Sequence, residues 1–363
     1  MQANPDLEKL SEFTRQRLVE NTGLFDPQVF PCGLFQEMGE LGLLGMADLA
    51  SIARGQAVIA GGTGSLGFAT AWASQSLTAL ALDRLAGLPQ AVKAGVRSGD
   101  TILALAVSEP KAGAHPKYLS TAAARTAGGW KLDGEKAYVT NGPIASHIAV
   151  LAVTSSTAGR NAFSFFLVPA AAQGLTRLEH AQFDFLRPAQ HCGFRLASVE
   201  VPESALIGNM GKAYEEIVLP FRSLEDAAGS SALSAVLARA ARLTAAALGS
   251  EINQETALAL GELAGIETAL LALDAPVIQA LQDWNTGTEA LGLLLIAIRD
   301  LARRSIEILK SAGAGSGDEH VSRILRDAEK YLDIARLAHT TMKMRLGQSY
   351  FIPANHFARK YSE

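Results

Sequence analysis

Between Thr101 and about Pro202 the chain alternates apolar and polar residues with a period of two, and turn residues recur at short intervals. On both sides of that span the apolar spacing is helical. Side chains alternate faces along a strand but recur every three or four residues along a helix, so one segment cannot serve both patterns. The two switches therefore divide the chain into 1–100, 101–210 and 211–363. Candidate strands are 101–107, 119–126, 129–139, 147–154, 162–168 and 191–201. Short strands that follow one another without helices between them imply an antiparallel barrel or sandwich, not a parallel sheet. Before them, residues 5–45 and 68–88 read as helices, broken at Pro27 and Pro31. After Gly208 and Gly211 come four helical stretches, 213–248, 255–284, 287–311 and 318–346, long enough for an antiparallel four-helix bundle. The expected class is α+β: an N-terminal helical domain, a central β-domain and a C-terminal bundle.

At 363 residues, 48% of them hydrophobic, the chain can bury a large core shared by two or three domains. A net charge of −4 offers no basis for binding nucleic acid or an anionic membrane surface. Cys32 and Cys192 are the only cysteines, too few for a disulfide framework or a zinc ligand set, and no metal is expected. The start, MQANPDLEKLSEFTRQ, lacks the pattern of a signal peptide, and no apolar run reaches about 18 residues. A cytoplasmic protein is expected.

Gly62, Gly64 and Gly67 fit G-x-G-x-x-G, with Asp83 about 20 residues beyond, so a nicotinamide-dependent enzyme is one reading. That fingerprint requires a strand before it and alternating β and α units after it. Here the flanks are helical, and a pair of glycine-containing helices in close contact is the stronger expectation.

The most informative stretch is Ile102–Gly142. Its first apolar run ends in Ser108-Glu109-Pro110-Lys111-Ala112-Gly113, and its hairpin ends in Gly134-Glu135-Lys136-Ala137-Tyr138-Val139-Thr140-Asn141-Gly142. Together with Val199-Glu200-Val201-Pro202, Leu206-Ile207-Gly208 and Arg326-Asp327-Ala328, these segments resemble the acyl-CoA dehydrogenase family in motif and order across nearly the whole chain. The resemblance implies FAD held between the β-domain and the bundle. Val107 and Ser108 would meet the flavin's pyrimidine edge, Tyr138 its ring and Thr140 its N5, with Gly113, Gly313 and Gly315 allowing close backbone approach. It also implies an acyl-CoA or other acyl thioester as substrate, an electron-transfer acceptor as partner and a homodimer or homotetramer.

The sequence departs from the family's pattern at four places. Ala114-His115 replaces the serine that helps hold the diphosphate, and the Leu248–Asn253 region has no arginine. Lys310-Ser311-Ala312-Gly313-Ala314-Gly315 lacks the family's glutamine. Counting nine positions on from Arg326 reaches Ala335, where the commonest branch has its catalytic glutamate. Glu329 and Asp333 are expected on an outer helix face. Some branches carry the base on the first bundle helix, which points to Glu225 although Arg222 aligns with the family's glutamate. The plainer alternative is an Arg222–Asp226 ion pair with Glu225 facing solvent. His191 and Cys192 are adjacent in a strand, point to opposite faces and cannot act as a couple; Cys192 is expected to be buried and structural. The implied activity is α,β-desaturation of an acyl thioester. The alternative is a flavin- or thioester-binding paralogue, or a subunit of a hetero-oligomer, without turnover.

Overall fold

The computed structural model describes residues 4–25, 29–179, 184–249, 252–285, 287–313, 318–334 and 336–349. Helices α1 (Pro5–Phe13), α2 (Cys32–Glu40), α3 (Leu49–Thr63), α4 (Leu66–Ala86) and α5 (Gln90–Ser98) precede the strands. Asp48 caps α3 by accepting from Ser51 N at 2.8 Å, and Ser65 caps α4 by accepting from Phe68 N at 3.2 Å. Between them Gly64 has φ 81°, the left-handed turn that ends α3. Helix lies on both sides of the glycine run, which removes the nicotinamide reading. Gly67 is small for a packing reason: a Cβ there would collide with the carbonyl oxygens of Leu186 and Arg187.

The strands are β1 (Leu103–Ala106), β2 (Ala122–Thr126), β3 (Gly129–Thr140), β4 (His147–Thr157), β5 (Arg160–Pro169), β6 (Leu175–Leu178), β7 (His191–Pro202) and β8 (Leu206–Ile207). They form one sheet in the order β6-β7-β3-β2-β4-β5-β8, with β1 on β4. The α+β class with a central sheet between helical segments is as expected; two details differ from the expected antiparallel barrel or sandwich. The sheet is not closed, and β1 and β2 both run parallel to β4. The cause is topological: β1 lies beside β4 instead of beside its neighbour in sequence. The period-two pattern is nevertheless obeyed. On β5, Phe163, Phe165 and Leu167 enter a core shared with α4 and α5, while Phe166 and Val168 enter the core enclosed by the sheet.

The C-terminal helices are α6 (Leu219–Leu248), entered through a π-helical turn at Tyr214–Val218, then α7 (Gln254–Gln282), α8 (Glu289–Ser311), α9 (Glu319–Asp333) and α10 (Arg336–Ser349). The expected single helix over 318–346 is thus two. Ile334 leaves the helix with ψ 133°, and α8 satisfies the freed carbonyls. Arg299 donates to Leu332 O at 2.6 Å and Ile334 O at 3.2 Å, and Arg303 donates to Leu332 O at 3.0 Å. One apolar core runs through α1–α4 and α6–α9, so the first and last thirds of the chain pack as a continuous helical layer.

By length and mean hydropathy the helices Tyr214–Leu248 and Gln254–Gln282 are apolar enough to cross a membrane, a test that a buried core helix also passes. Isolated carboxylates such as Glu262 and Glu267 interrupt the apolar runs without lowering that mean enough to exclude them.

Candidate functional site

The first strand and its return through β3 build a rim. After β1 the chain turns through Ser108–Gly113, closed by paired backbone bonds between Glu109 and Gly113 at 2.9 and 3.0 Å. Gly113 has φ 55°, which its missing side chain permits. On the return strand the pairing with β7 shifts register between Lys136 and Val139, and Tyr138 adopts φ 59°. A bulge with a non-glycine residue in the left-handed region re-aims a side chain at a cost in backbone energy. Tyr138 is 50% exposed as a result, unusual for a ring in the middle of a sheet.

Beneath the rim, Lys136 and Glu109 form a buried ion pair. Lys136 Nζ donates to Glu109 Oε1 at 2.9 Å and to Val107 O at 3.1 Å. Glu109 also accepts from Thr121 N at 2.9 Å, Ser120 N at 2.8 Å and Ser120 Oγ at 2.9 Å. Burial opposes both charges. For Glu109 the lysine charge and the hydrogen bonds prevail and lower its carboxyl to about 2; for Lys136 burial prevails and lowers its ammonium to about 8. Both ends are charged at neutral pH. Ala137 N donates to Ser108 O at 2.9 Å, so two bonds tie the return strand to the Val107–Ser108 turn.

The opposite wall is α6 with its entering turn. A cleft of about 890 Å³ lies between them, lined by Val107, Ser108, Gly113, Tyr138, Thr140 and Glu225 together with Ser74, Thr78, Tyr214, Phe221, Arg222 and Thr341. Six of the eight expected site residues therefore meet in one cavity. Gly313 closes α8 at φ 81° and is not among the lining residues, while Gly315 and Ala335 lie outside the described residues.

Glu225 opens onto this cleft, yet enough protein surrounds it that burial pushes its carboxyl up to about 7; the charge of Asp226 adds to the rise and Arg222 opposes it. The alternative Arg222–Asp226 pair does not form. Asp226 turns away from the cleft to Arg299, at 4.0 Å, and His339, at 3.4 Å. Glu329 and Asp333 lie on the outer face as expected, paired with Lys310 and Arg303. Asp327 of the Arg-Asp-Ala segment instead points inward and accepts from Leu186 N at 3.1 Å, tying α9 to the β-domain.

Cys192 is buried and its thiol is pushed up to about 12 by burial, in keeping with a structural role. Burial, aided by the Arg187 charge, lowers His191 to about 4. His115 is exposed beside the Tyr118 ring. The cleft residues that spacing did not reveal are Ser74, Thr78, Tyr214 and Thr341. The first two lie on α4 among other polar residues, Thr70, Gln75 and Ser76, and no spacing singles them out.

The acyl-CoA dehydrogenase middle-domain family matches residues 104–199. The mitochondrial 2-methylacyl-CoA dehydrogenase of Solanum tuberosum is 28% identical over 268 residues, which cover 70% of this chain and 64% of that protein. The chain thus spans slightly less than two thirds of that relative's length. Among solved structures, butyryl-CoA dehydrogenase from Megasphaera elsdenii superposes with a TM-score of 0.82 at 17% identity, covering 96% of this chain and 99% of that one. Glutaryl-CoA dehydrogenase from Mycobacterium smegmatis superposes at 0.81 and 20% identity, covering 96% and 95%.

Proposed function

We propose that the chain, which resembles the acyl-CoA dehydrogenase family in its middle segment and in sequence over 70% of its length, is a flavin-dependent oxidoreductase that desaturates an acyl thioester between its α and β carbons. The observation that carries this reading is the single cleft joining Val107, Ser108, Tyr138 and Thr140 on one wall to Glu225 on the other. The strand-end backbone, the exposed Tyr138 ring and the cavity's size suit an isoalloxazine, so FAD is the cofactor these residues fit. When bound, FAD supplies the acceptor for the β-hydride.

The chain's own part is positioning and proton transfer. Val107 and Ser108 would hold the pyrimidine edge, Thr140 would be the hydroxyl nearest N5 and Tyr138 would shield one ring face from water. Glu225, as carboxylate, takes the α-proton of the thioester and holds it on a side-chain oxygen. A base titrating near 7 is about half ionised at neutral pH, close to the optimum for reversible proton transfer. An electron-transfer acceptor is the proposed redox partner. A homodimer or homotetramer is the proposed assembly, supported by exposed apolar side chains on α7, of which Leu258 and Leu271 are 69% and 66% exposed.

The visible spectrum of the protein, purified and then supplied with FAD, tests the cofactor; no flavin absorption after that addition rules the reading out. Ala114, which brings no hydroxyl to the diphosphate loop, favours a second reading: flavin or thioester binding without turnover. Anaerobic bleaching of the flavin by any acyl-CoA refutes it.

A further inference from the structure

Arg222 is the one arginine or lysine among the residues lining the cleft, and it makes no salt bridge with any described residue. It lies one helical turn before Glu225 on the same helix. Nearby carboxylates are otherwise committed. Asp226 faces Arg299 and His339 on the far side of α6, and Glu225, the proposed base, makes no salt bridge with Arg222 and loses its charge when it takes the α-proton. Tyr214, fixed by donating its hydroxyl to Ala114 O at 2.9 Å, keeps its ring and oxygen beside the guanidinium. A ligand filling this cavity displaces the water that solvates Arg222. An arginine stripped of water without an anion is strongly penalised, so the ligand itself has to bring the counter-charge.

A second observation points the same way. Thr78 is fully buried, lines the same cleft, and its hydroxyl has no hydrogen-bond partner among the described residues. A purely hydrocarbon acyl chain would leave that group unsatisfied. The cleft's remaining side-chain surface near α6, Leu105, Val218 and Phe221, is apolar, which suits the methylenes of a short chain.

We infer that the acyl group taken by this cleft carries a carboxylate, and that Arg222 receives it. The inference rests on the thioester reading above. The reach fits a short chain: the carbon that loses its proton to Glu225 and the carboxylate on Arg222 are separated by roughly one helical turn, about 5 Å, plus the span of the side chains. The phosphates of a pantetheine arm are many bonds further from the thioester. Arginine is suited to the role because its planar fork can bind a carboxylate through two parallel hydrogen bonds.

The test uses the FAD-loaded protein and two five-carbon thioesters, pentanoyl-CoA and glutaryl-CoA, which differ in a methyl or carboxylate terminus. Dissociation constants are read from the perturbation of the flavin spectrum. Glutaryl-CoA is expected to bind about tenfold or more tightly, and Arg222→Met to bring the ratio of the two constants close to one, with Arg222→Lys between them. Arg222 is surface-accessible, so circular dichroism is expected to show both variants folded. Equal affinities in the unmodified protein overturn the inference and leave the thioester reading standing. So does a variant that loses FAD affinity while the acyl ratio persists, because Arg222 would then face the cofactor's diphosphate. A flavin perturbed by neither thioester overturns the thioester reading and this inference with it.

Discussion

Lys136 Nζ sits 2.9 Å from Glu109 Oε1, with the two side chains 0% and 5% exposed, and the same ammonium donates to Val107 O at the cleft rim. The pair joins two segments that are distant in sequence and carries their geometry to the residues that face the cavity.

Removing one partner leaves the other charge buried and unpaired. Lys136→Met is expected to cost about 3–5 kcal/mol in urea unfolding, and Glu109→Gln less, because a neutral amide retains part of the hydrogen bonding. The pH dependence follows from Glu109. Its folded value of about 2 lies below the ordinary carboxyl value of 4.5, so its contribution is present above pH 4.5 and is lost as pH falls toward 2. An acid titration of Glu109→Gln that kept the parent's slope in that window would contradict this.

For Glu225 the sign is opposite. Its folded value of about 7 is raised, so the folded state is relatively favoured below pH 4.5 and that advantage disappears as pH rises through 7. Glu225→Gln is therefore expected to raise the melting temperature more at pH 8 than at pH 5. In the same variant, flavin reduction by acyl-CoA should fall about a hundredfold or more. In the unmodified protein that rate should rise with pH through about 7.

Tyr138 combines a left-handed backbone with an exposed ring. Tyr138→Gly is expected to relieve the conformational cost, about 1 kcal/mol, while weakening FAD binding through loss of the ring. Thermal unfolding without FAD and fluorescence titration with it measure the two effects separately. Unchanged or tighter FAD binding by the variant would remove the proposed role of the ring.

Gly67 admits no side chain because the Leu186 and Arg187 carbonyls occupy the Cβ position. Gly67→Ala should destabilise by about 1–3 kcal/mol or more, despite alanine's better helix propensity. Stabilisation, as propensity alone predicts, would show that this contact yields easily.

Much of the site was legible in the sequence. Val107, Ser108, Gly113, Tyr138 and Thr140 lie within one stretch of strand and turn, and local order brings them to one rim. Glu109 and Lys136 stood inside the same quoted motifs, but nothing in their spacing marked them as a buried pair. Glu225 lies on the first bundle helix and lines the cleft, while the alternative Arg222 partner for Asp226 is replaced by Arg299 and His339, which come from helices far along the chain. The split of the last helix was invisible for the same reason: the arginines that satisfy its carbonyls belong to α8.

The sequence by itself determined the class of each segment and the family resemblance, because strand and helix periods are local and the rim motifs are contiguous. Only the tertiary structure decided that β1 lies parallel to β4, that Glu225 opens onto the cleft while Asp226 turns away, and that Arg222 stands there with no salt bridge to a described residue. Those outcomes depend on which distant groups are close enough to hydrogen-bond, neutralise or desolvate one another. Such distances are set when α6 packs against the β-domain rim, and no local pattern encodes them.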